Sequence, residues 1–321
     1  MLINEISTGG TRGDATLREL ALAAFYAAFP LAMYAHFYSF AGNADNPRKV
    51  GDEYDAGQAR STSTGYVAKE REPNFGTAAL KIFGDKVATD IAHERRGIDI
   101  GGQQVRDVER FAGSLGRGLM NALVNHDNGA NALHTNGVKV IADAVGQNVP
   151  LGGPNGLALP RGNDNAAAQA FDQFIEELDH EIEDVDGGVD VILCNSTLIS
   201  RLKSMGRRFV QTDTVQDIYG ENQQVTTYMG IPLVNAGWNP DRSGYIIGND
   251  ETVGTSNDCT SLYLLNYGEE ENLTIATNIG LDVVDLGQVE EKLKLLVELD
   301  LDQVLLNDRA IKRVSGIRAK A

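Results

Sequence analysis

The stretch from Asp99 to Asn125, DIGGQQVRDVERFAGSLGRGLMNALVN, constrains the fold more than any other. Val105, Val108, Phe111, Ala112, Leu115, Leu119 and the pair Ala122–Leu123 recur at steps of three and four residues, which places them on one face of a helix. Arg106, Asp107, Glu109, Arg110 and Arg117 fall on the other side. Asp99 stands where an N-cap is expected. About 25 residues rising about 1.5 Å each make a rod of roughly 38 Å, as long as a small domain is wide. Such a rod needs partners on both sides. Gly113, Gly116 and Gly118 each cost the helix about 1 kcal/mol relative to Ala, a cost that makes sense if another backbone packs closely against them.

At 321 residues the chain is long enough for two domains or one large one. Its formal charge of −17 argues against a surface that wraps DNA or RNA, because such surfaces need basic stripes to displace counterions from phosphates. Only two cysteines occur, Cys194 and Cys259, both in apolar strand-like contexts. Two are too few for a disulfide scaffold, and a reducing compartment is the simpler reading. Residues 21–40, ALAAFYAAFPLAMYAHFYSF, look superficially like a signal or membrane segment. The upstream Asp14 and Glu19, Pro30 in the middle and His36 near the end favour a short amphipathic helix instead, Ala15 to Phe29, with Leu17, Leu20, Ala21, Ala24, Phe25 and Ala28 on one face.

Residues 1–13 are small and polar and read as an arm. From 42 to 75 the chain is polar and without helical or strand periodicity, and cannot bury enough apolar area to fold alone. The STSTG turn between Tyr54 and Tyr66 suggests an extended two-stranded loop, which is marginal in water unless it lies on a neighbour. Residues 77–91 have strand character. Lys139 to Val145 reads as a short strand, and 146–163 as a Gly- and Pro-rich loop or boundary.

Ala166 to Glu183 is a second clear helix, with Phe171, Phe174, Ile175, Leu178 and Ile182 on one face. The segment 164–190 holds ten acidic residues and no Lys or Arg, which makes a solvated acidic face the default. Residues 189–194, VDVILC, read as a buried strand, followed by Asn195-Ser196-Thr197 capping a helix through Met205. Thr226 to Val234, Ser243 to Ile247 and Leu262 to Leu265 supply further strands. Alternation is cleanest where Leu293, Leu295, Val297, Leu299 and Leu301 face one way and Lys292, Lys294, Glu298, Asp300 and Asp302 the other.

Signatures of chemistry are sparse. No Gly-Lys dipeptide occurs, so there is no Walker loop, and Gly113-x-x-Gly116-x-Gly118 lies inside a helix with the wrong spacing for a dinucleotide fingerprint. There is no G-x-S-x-G elbow and no H-E-x-x-H helix. Glu177-x-x-His180 matches half of a di-iron unit, but it is the only Glu-x-x-His in the chain. The Asp184–Asp190 loop lacks the twelve-residue calcium-hand pattern. Nothing converges on catalytic, cofactor or metal residues, so a non-enzymatic role is expected.

The order of parts resembles the major capsid proteins of tailed double-stranded DNA bacteriophages, the Hong Kong 97-type shell fold. The segments that carry it are the apolar arm helix near Phe25, the polar extended loop before the spine-like helix, VDVILCNSTLISRLKSM, GIPLVNAGW, and the terminal LVELDLDQVLLNDRAIKRVSGI, in which Ala310-Ile311 would precede a small helix. The resemblance implies an α+β fold with residues 1–50 as arm and 51–80 as extended loop. Residues 81–150 with 285–321 would form a peripheral domain, and 151–284 an axial one. It implies a homo-oligomer of hexamers and pentamers closing an icosahedral shell around double-stranded DNA in a virion assembled in the host cytoplasm and matured from a procapsid, with no membrane. Scaffold, portal and decoration proteins are the further partners it suggests. Arg60, Tyr66, Lys69 and Arg71 are the expected inter-subunit contacts. Some relatives join a loop lysine to an asparagine of a neighbour, for which Lys69 and Asn307 would stand here, but the simpler reading is that Lys69, in Lys-Glu-Arg-Glu, makes ordinary surface ion pairs. Two other readings compete: an encapsulin-like cellular compartment with the same fold, and an acidic cytosolic metal-binding protein built on His180 and its carboxylate neighbours.

Overall fold

The computed structural model describes residues 15–50, 60–63, 66, 74–92, 96, 100–160, 165–205, 210–216 and 222–320. Helix α1 (Ala15–Ala27) and a 3₁₀ turn (Pro30–Met33) precede β1 (Phe37–Ser39), β2 (Ala44–Asp45), β3 (Ala78–Ala79) and β4 (Lys81–Asp90). The long helix α2 (Ile100–Asn125) follows, then α3 (Val138–Ala144), β5 (Asn148–Pro150), β6 (Leu157–Ala158) and α4 (Asn165–Glu183). After β7 (Val191–Cys194) and α5 (Ser196–Met205), the remaining elements among the described residues are strands. These are β8 (Val210–Gln216), β9 (Asn222–Tyr228), β10 (Ile231–Asn235), β11 (Glu251–Val253), β12 (Ser256–Leu265), β13 (Leu273–Val289), β14 (Lys292–Leu305) and β15 (Ile311–Arg318).

Two sheets organise these elements. A four-stranded sheet has the order β1-β13-β14-β4, and a nine-stranded mixed sheet runs β5-β15-β12-β7-β10-β9-β8, with β11 on β12 and β6 on β15. The leucine alternation of β14 holds from Leu295 onward: Leu295, Val297, Leu299 and Leu301 are buried in one core with Val108, Ala112, Leu119 and Leu123 of α2, while Leu293, near the start of the strand, is half-buried. A second core lies between the nine-stranded sheet and helices α4 and α5, around Phe171, Phe174, Leu178, Leu198 and Leu202. Helix α5 begins as expected, with the Asn195 carboxamide oxygen accepting the Leu198 amide at 2.8 Å.

The glycines of α2 explain themselves. A Cβ on Gly116 would lie 2.5 Å from the Phe25 carbonyl oxygen and 3.1 Å from the Ala28 Cβ, so α1 crosses with its backbone almost touching α2. Gly118 leaves room for the Phe83 ring, whose Cζ would be 3.1 Å from an added Cβ. The residues 21–40 accordingly form α1, a turn and β1, and among the described residues no helix is long and apolar enough to cross a membrane. The candidate cap Asp99 lies outside the described residues.

Four local expectations are corrected. Residues 138–144 form helix α3, not a strand, because Val138, Ile141 and Ala142 fall on one buried face. The Gly137 backbone, which starts it, is pressed so close to Val124 that a Cβ would meet its carbonyl at 2.5 Å. The Thr226–Val234 run is two antiparallel strands. They are joined at Met229 and Gly230, both with positive φ (51° and 86°), the pattern of a tight hairpin turn. Residues 243–247 make only a single bridge, Trp238 to Tyr245, because Asp241 caps Ser243 and holds a loop there. The segment after Ala310 is the strand β15, inserted between β5 and β12, and no helix. The 146–163 loop also contains the short β5 and β6.

Gly116 and Gly113 make opposite predictions. Gly116→Ala should destabilise the chain by about 1–3 kcal/mol, because the added carbon must push α1 away. Gly113→Ala meets only ordinary contacts, at 3.7 Å from Arg117 Nη1 and 3.8 Å from the Ala24 oxygen, so it should stabilise by up to about 1 kcal/mol through helix propensity. Denaturant titration of the two variants checks both signs.

Candidate functional site

The segments that flank the polar stretch 51–73, ending at Val50 and resuming at Asn74, are fastened together. Ala44 and Asp45 pair with Ala79 and Ala78, Arg48 bridges Phe75, the Lys49 amide donates to the Asn74 oxygen at 2.9 Å, and the Gly76 amide donates to the Pro47 oxygen at 2.8 Å. The Val50 amide donates to the Leu306 oxygen at 2.8 Å. Beneath this base lies a small separate core of Tyr38, Ala78, Leu80, Ala276, Val304 and Leu306.

Asp302 ties the base to the body. One carboxylate oxygen accepts the Ala79 amide of β3 at 2.9 Å; the other accepts the Thr135 hydroxyl at 2.6 Å and the Gln303 amide at 3.0 Å. Thr135 belongs to the loop between α2 and α3, so a single carboxylate joins the loop base, the β14 strand and the end of the long helix. Burial raises its pKa above the ordinary carboxylate value, against the opposing pull of these hydrogen bonds.

Of the four expected contact residues, Arg60 and Tyr66 come together: the guanidinium carbon stands 5.1 Å from the ring centroid, and Tyr66 is 68% exposed. Lys69 and Arg71 lie outside the described residues. Asn307 is 7% exposed, its amide nitrogen donates to Asp186 Oδ2 (2.8 Å) and Asn272 Oδ1 (3.2 Å), and its oxygen accepts the Arg309 amide (3.1 Å). That amide is built into the body of the fold, buried and hydrogen-bonded through both its nitrogen and its oxygen.

Part of the acidic run is likewise taken up by structure, while Asp172, Glu176 and Glu183 stand exposed. Lys312, buried, pairs with Glu181 at 3.1 Å and with Asp184, and Asp190 accepts the Tyr267 amide at 2.8 Å. The Lys312 ammonium holds the Asp184 carboxyl below its usual range. His180 is exposed on α4, and among the described residues no three His, Cys, Asp or Glu side chains stand close enough to share an ion. Cys194 and Cys259 are buried free thiols, and burial pushes Cys194 up to about 12, so neither is a reactive nucleophile. Sequence reasoning passes over Arg313. Its buried guanidinium binds Asp143 through both carboxylate oxygens (2.9 and 2.7 Å) and Glu251 at 3.1 Å, fastening α3 and β11 to β15. Arg313 lies in a segment expected to be helical, which hides it.

No family model and no curated protein sequence matches the chain. Solved structures do. The encapsulin SrpI of Synechococcus elongatus PCC 7942, seen in its holo complex, superposes with a TM-score of 0.58 at 16% identity, over 97% of this chain and 98% of that one. The capsid protein of an empty GTA particle gives 0.52 at 14% identity over 90% of each chain. A chain of Mycobacterium phage Adephagia gives 0.51 at 12% identity, over 91% of this chain and 89% of the other. The fold is the Hong Kong 97-type shell fold. The long helix α2 is the spine-like helix of that fold, and Asp302 joins β3 to the loop that follows α2.

Replacing Asp302 by Ala strands the Ala79 amide and the Thr135 hydroxyl and should cost about 2–4 kcal/mol, with faster hydrogen exchange at the loop base. Because the folded pKa is raised, the stability from this group is fully present below the ordinary carboxylate pKa and is lost as pH rises through the raised value. The gap between parent and variant should therefore be widest near pH 4 and narrow above it. Thermal melts across pH check this.

Proposed function

We propose that this chain is the structural subunit of a closed icosahedral shell, and that it has no enzymatic role. The observation that carries the proposal is the fold match over nearly the whole chain to shell-forming proteins, phage and compartment alike. A second support is the polar stretch 51–73, which leaves from a well-fastened base and has the composition of a segment that needs another surface to lie on. We place the four-stranded sheet with α2 at the periphery of the subunit and the nine-stranded sheet with α4 and α5 toward the symmetry axis. The expected boundary at 284/285 falls inside β13, so 273–305 go with the periphery and 311–318 with the axial sheet.

Two shells fit. One is the capsid of a tailed phage, built from hexamers and pentamers around double-stranded DNA, assembled in the host cytoplasm through a procapsid and served by scaffold, portal and decoration proteins. The other is an encapsulin-like compartment, supported by the TM-score of 0.58 to SrpI against 0.52 to the GTA capsid. The expressed chain should sediment as hexamers, pentamers or shells and show closed particles in negative stain; a stable monomer with 42–75 protected from hydrogen exchange contradicts the shell reading. Encapsidated DNA in particles purified from their natural source indicates the phage capsid, and a packaged protein indicates the compartment.

Charge should also matter at the loop. Arg60, Lys69 and Arg71 are cationic residues in a chain of net charge −17, which suits electrostatic docking on a neighbour. Arg60→Glu with Arg71→Glu should leave circular dichroism unchanged and slow shell closure in the way moderate salt does. Unchanged assembly kinetics, followed by light scattering, would assign that contact to backbone pairing or Tyr66 packing instead.

A further inference from the structure

Where α1 crosses the spine helix, the two helices and the loop after β10 enclose an open groove of about 1120 Å³. Its floor is alanine, proline and glycine, from Ala24, Ala28, Pro30 and Gly237, and its rim carries Arg110, Arg117, Arg242 and Trp238. The loop that brings Trp238 and Arg242 is held against α2: Ser114 donates to the Pro240 oxygen at 3.4 Å, and Asn239 closes turns with Gly244 and Arg242. Asp241, the nearest acid in sequence, spends its carboxylate on the Ser243 amide and hydroxyl. Among the described residues Glu109 is the one carboxylate lining the groove, on the exposed side of α2.

The arginines are unusual in an acidic chain. Elsewhere Arg313 and Arg318 are locked to carboxylates. Here the Arg117 Nε is buried with no hydrogen-bond partner, while its guanidinium lies back over Gly113. Arg117 and Arg242 line the same groove, and burial, with the Arg242 charge after it, pulls the Arg117 pKa down. Such an arrangement costs free energy unless an anion arrives. Trp238 is 46% exposed, with one side of its ring against Tyr245 at 4.3 Å between centroids.

We propose that this groove binds the phosphodiester backbone of a nucleic-acid strand, Arg117 and Arg242 taking a phosphate and Trp238 stacking on the adjoining base. Guanidinium forks match phosphate oxygens, and an aromatic platform beside them accepts any base. A peptide backbone fits less well, because its amides need acceptors and the groove offers little beyond donors. The net charge of −17 is spread over the whole chain, and salt screens its distant part beyond a Debye length of about 10 Å at 0.1 M, so the local cations decide the contact. The site is formed within one copy of the chain and stands whether or not the copies close into a shell.

Trp238 is the only tryptophan, so its fluorescence reports on this groove alone. Titration of the purified full chain with a twelve-residue oligothymidylate should quench it saturably. Affinity should fall with salt at a log–log slope of about −2, as expected for three guanidiniums on a single strand. Arg117→Gln with Arg242→Gln should weaken binding at least about tenfold, the equivalent of one lost charge-assisted contact, with circular dichroism retained. Arg110→Gln, at an exposed position that cannot disturb folding, should weaken it by about threefold. Absence of saturable quenching, quenching unaffected by these variants, or equal quenching by a glutamate-rich peptide would overturn the proposal, the last by giving the groove to a protein partner. Equal quenching by inorganic phosphate at the same phosphate concentration would also overturn it, by removing the strand from the recognition.

Discussion

The close approach of the Phe25 backbone to Gly116 is the constraint on which the rest depends. Van der Waals contact between two helix backbones is open only to glycine, and it brings α1 down far enough for Phe25, Tyr26 and Phe29 to close the core over α2. The same helix presents its other side to the leucines of β14. A rod that is sandwiched in this way cannot rotate without exposing one stripe or the other, so its orientation fixes the four-stranded sheet, the loop base and the 236–248 loop together.

Much of this is legible in the sequence because the periodicities are strong. The stripe from Val105 to Leu123, the Phe171–Ile182 face and the alternation of 293–301 all report elements with one wet and one dry side. The long strand β13 escapes such a reading. Its sequence LTIATNIGLDVVDLGQV mixes Thr, Asn, Asp and Gly with aliphatics, and register shifts between Thr277 and Leu281 and between Asp285 and Gly287 break the alternation that would betray a strand. VKVIADA misleads in the opposite sense. Its β-branched residues suggest a strand, while tertiary burial of Val138, Ile141 and Ala142 makes a helix.

The functional parts are legible to different degrees for a physical reason. A loop without a core announces itself by composition, so 42–75 stands out from its polar residues alone. The residues that fasten it, Asp302 and Thr135, lie far apart in sequence and belong to different elements, and neither has a local pattern. The arginine groove is hidden in the same way: Arg117 reads as the solvated side of a helix, and only the loop carrying Trp238 and Arg242 turns that side into a recess. Chemistry assembled across the chain is invisible to periodicity, which sees only neighbours along it.

Among the described residues β4 is the outer strand of its sheet, with β14 on one side and Ile82 standing 74% exposed. Every newly made copy thus carries a ten-residue template on which a stray chain can add. Lys81, Asp85, Lys86 and Asp90 punctuate that edge with charge of both signs, so an incoming strand must match them or bury them. Charge of both signs along an edge strand opposes pairing with a second chain, a local brake on aggregation that acts independently of the net charge of the whole chain.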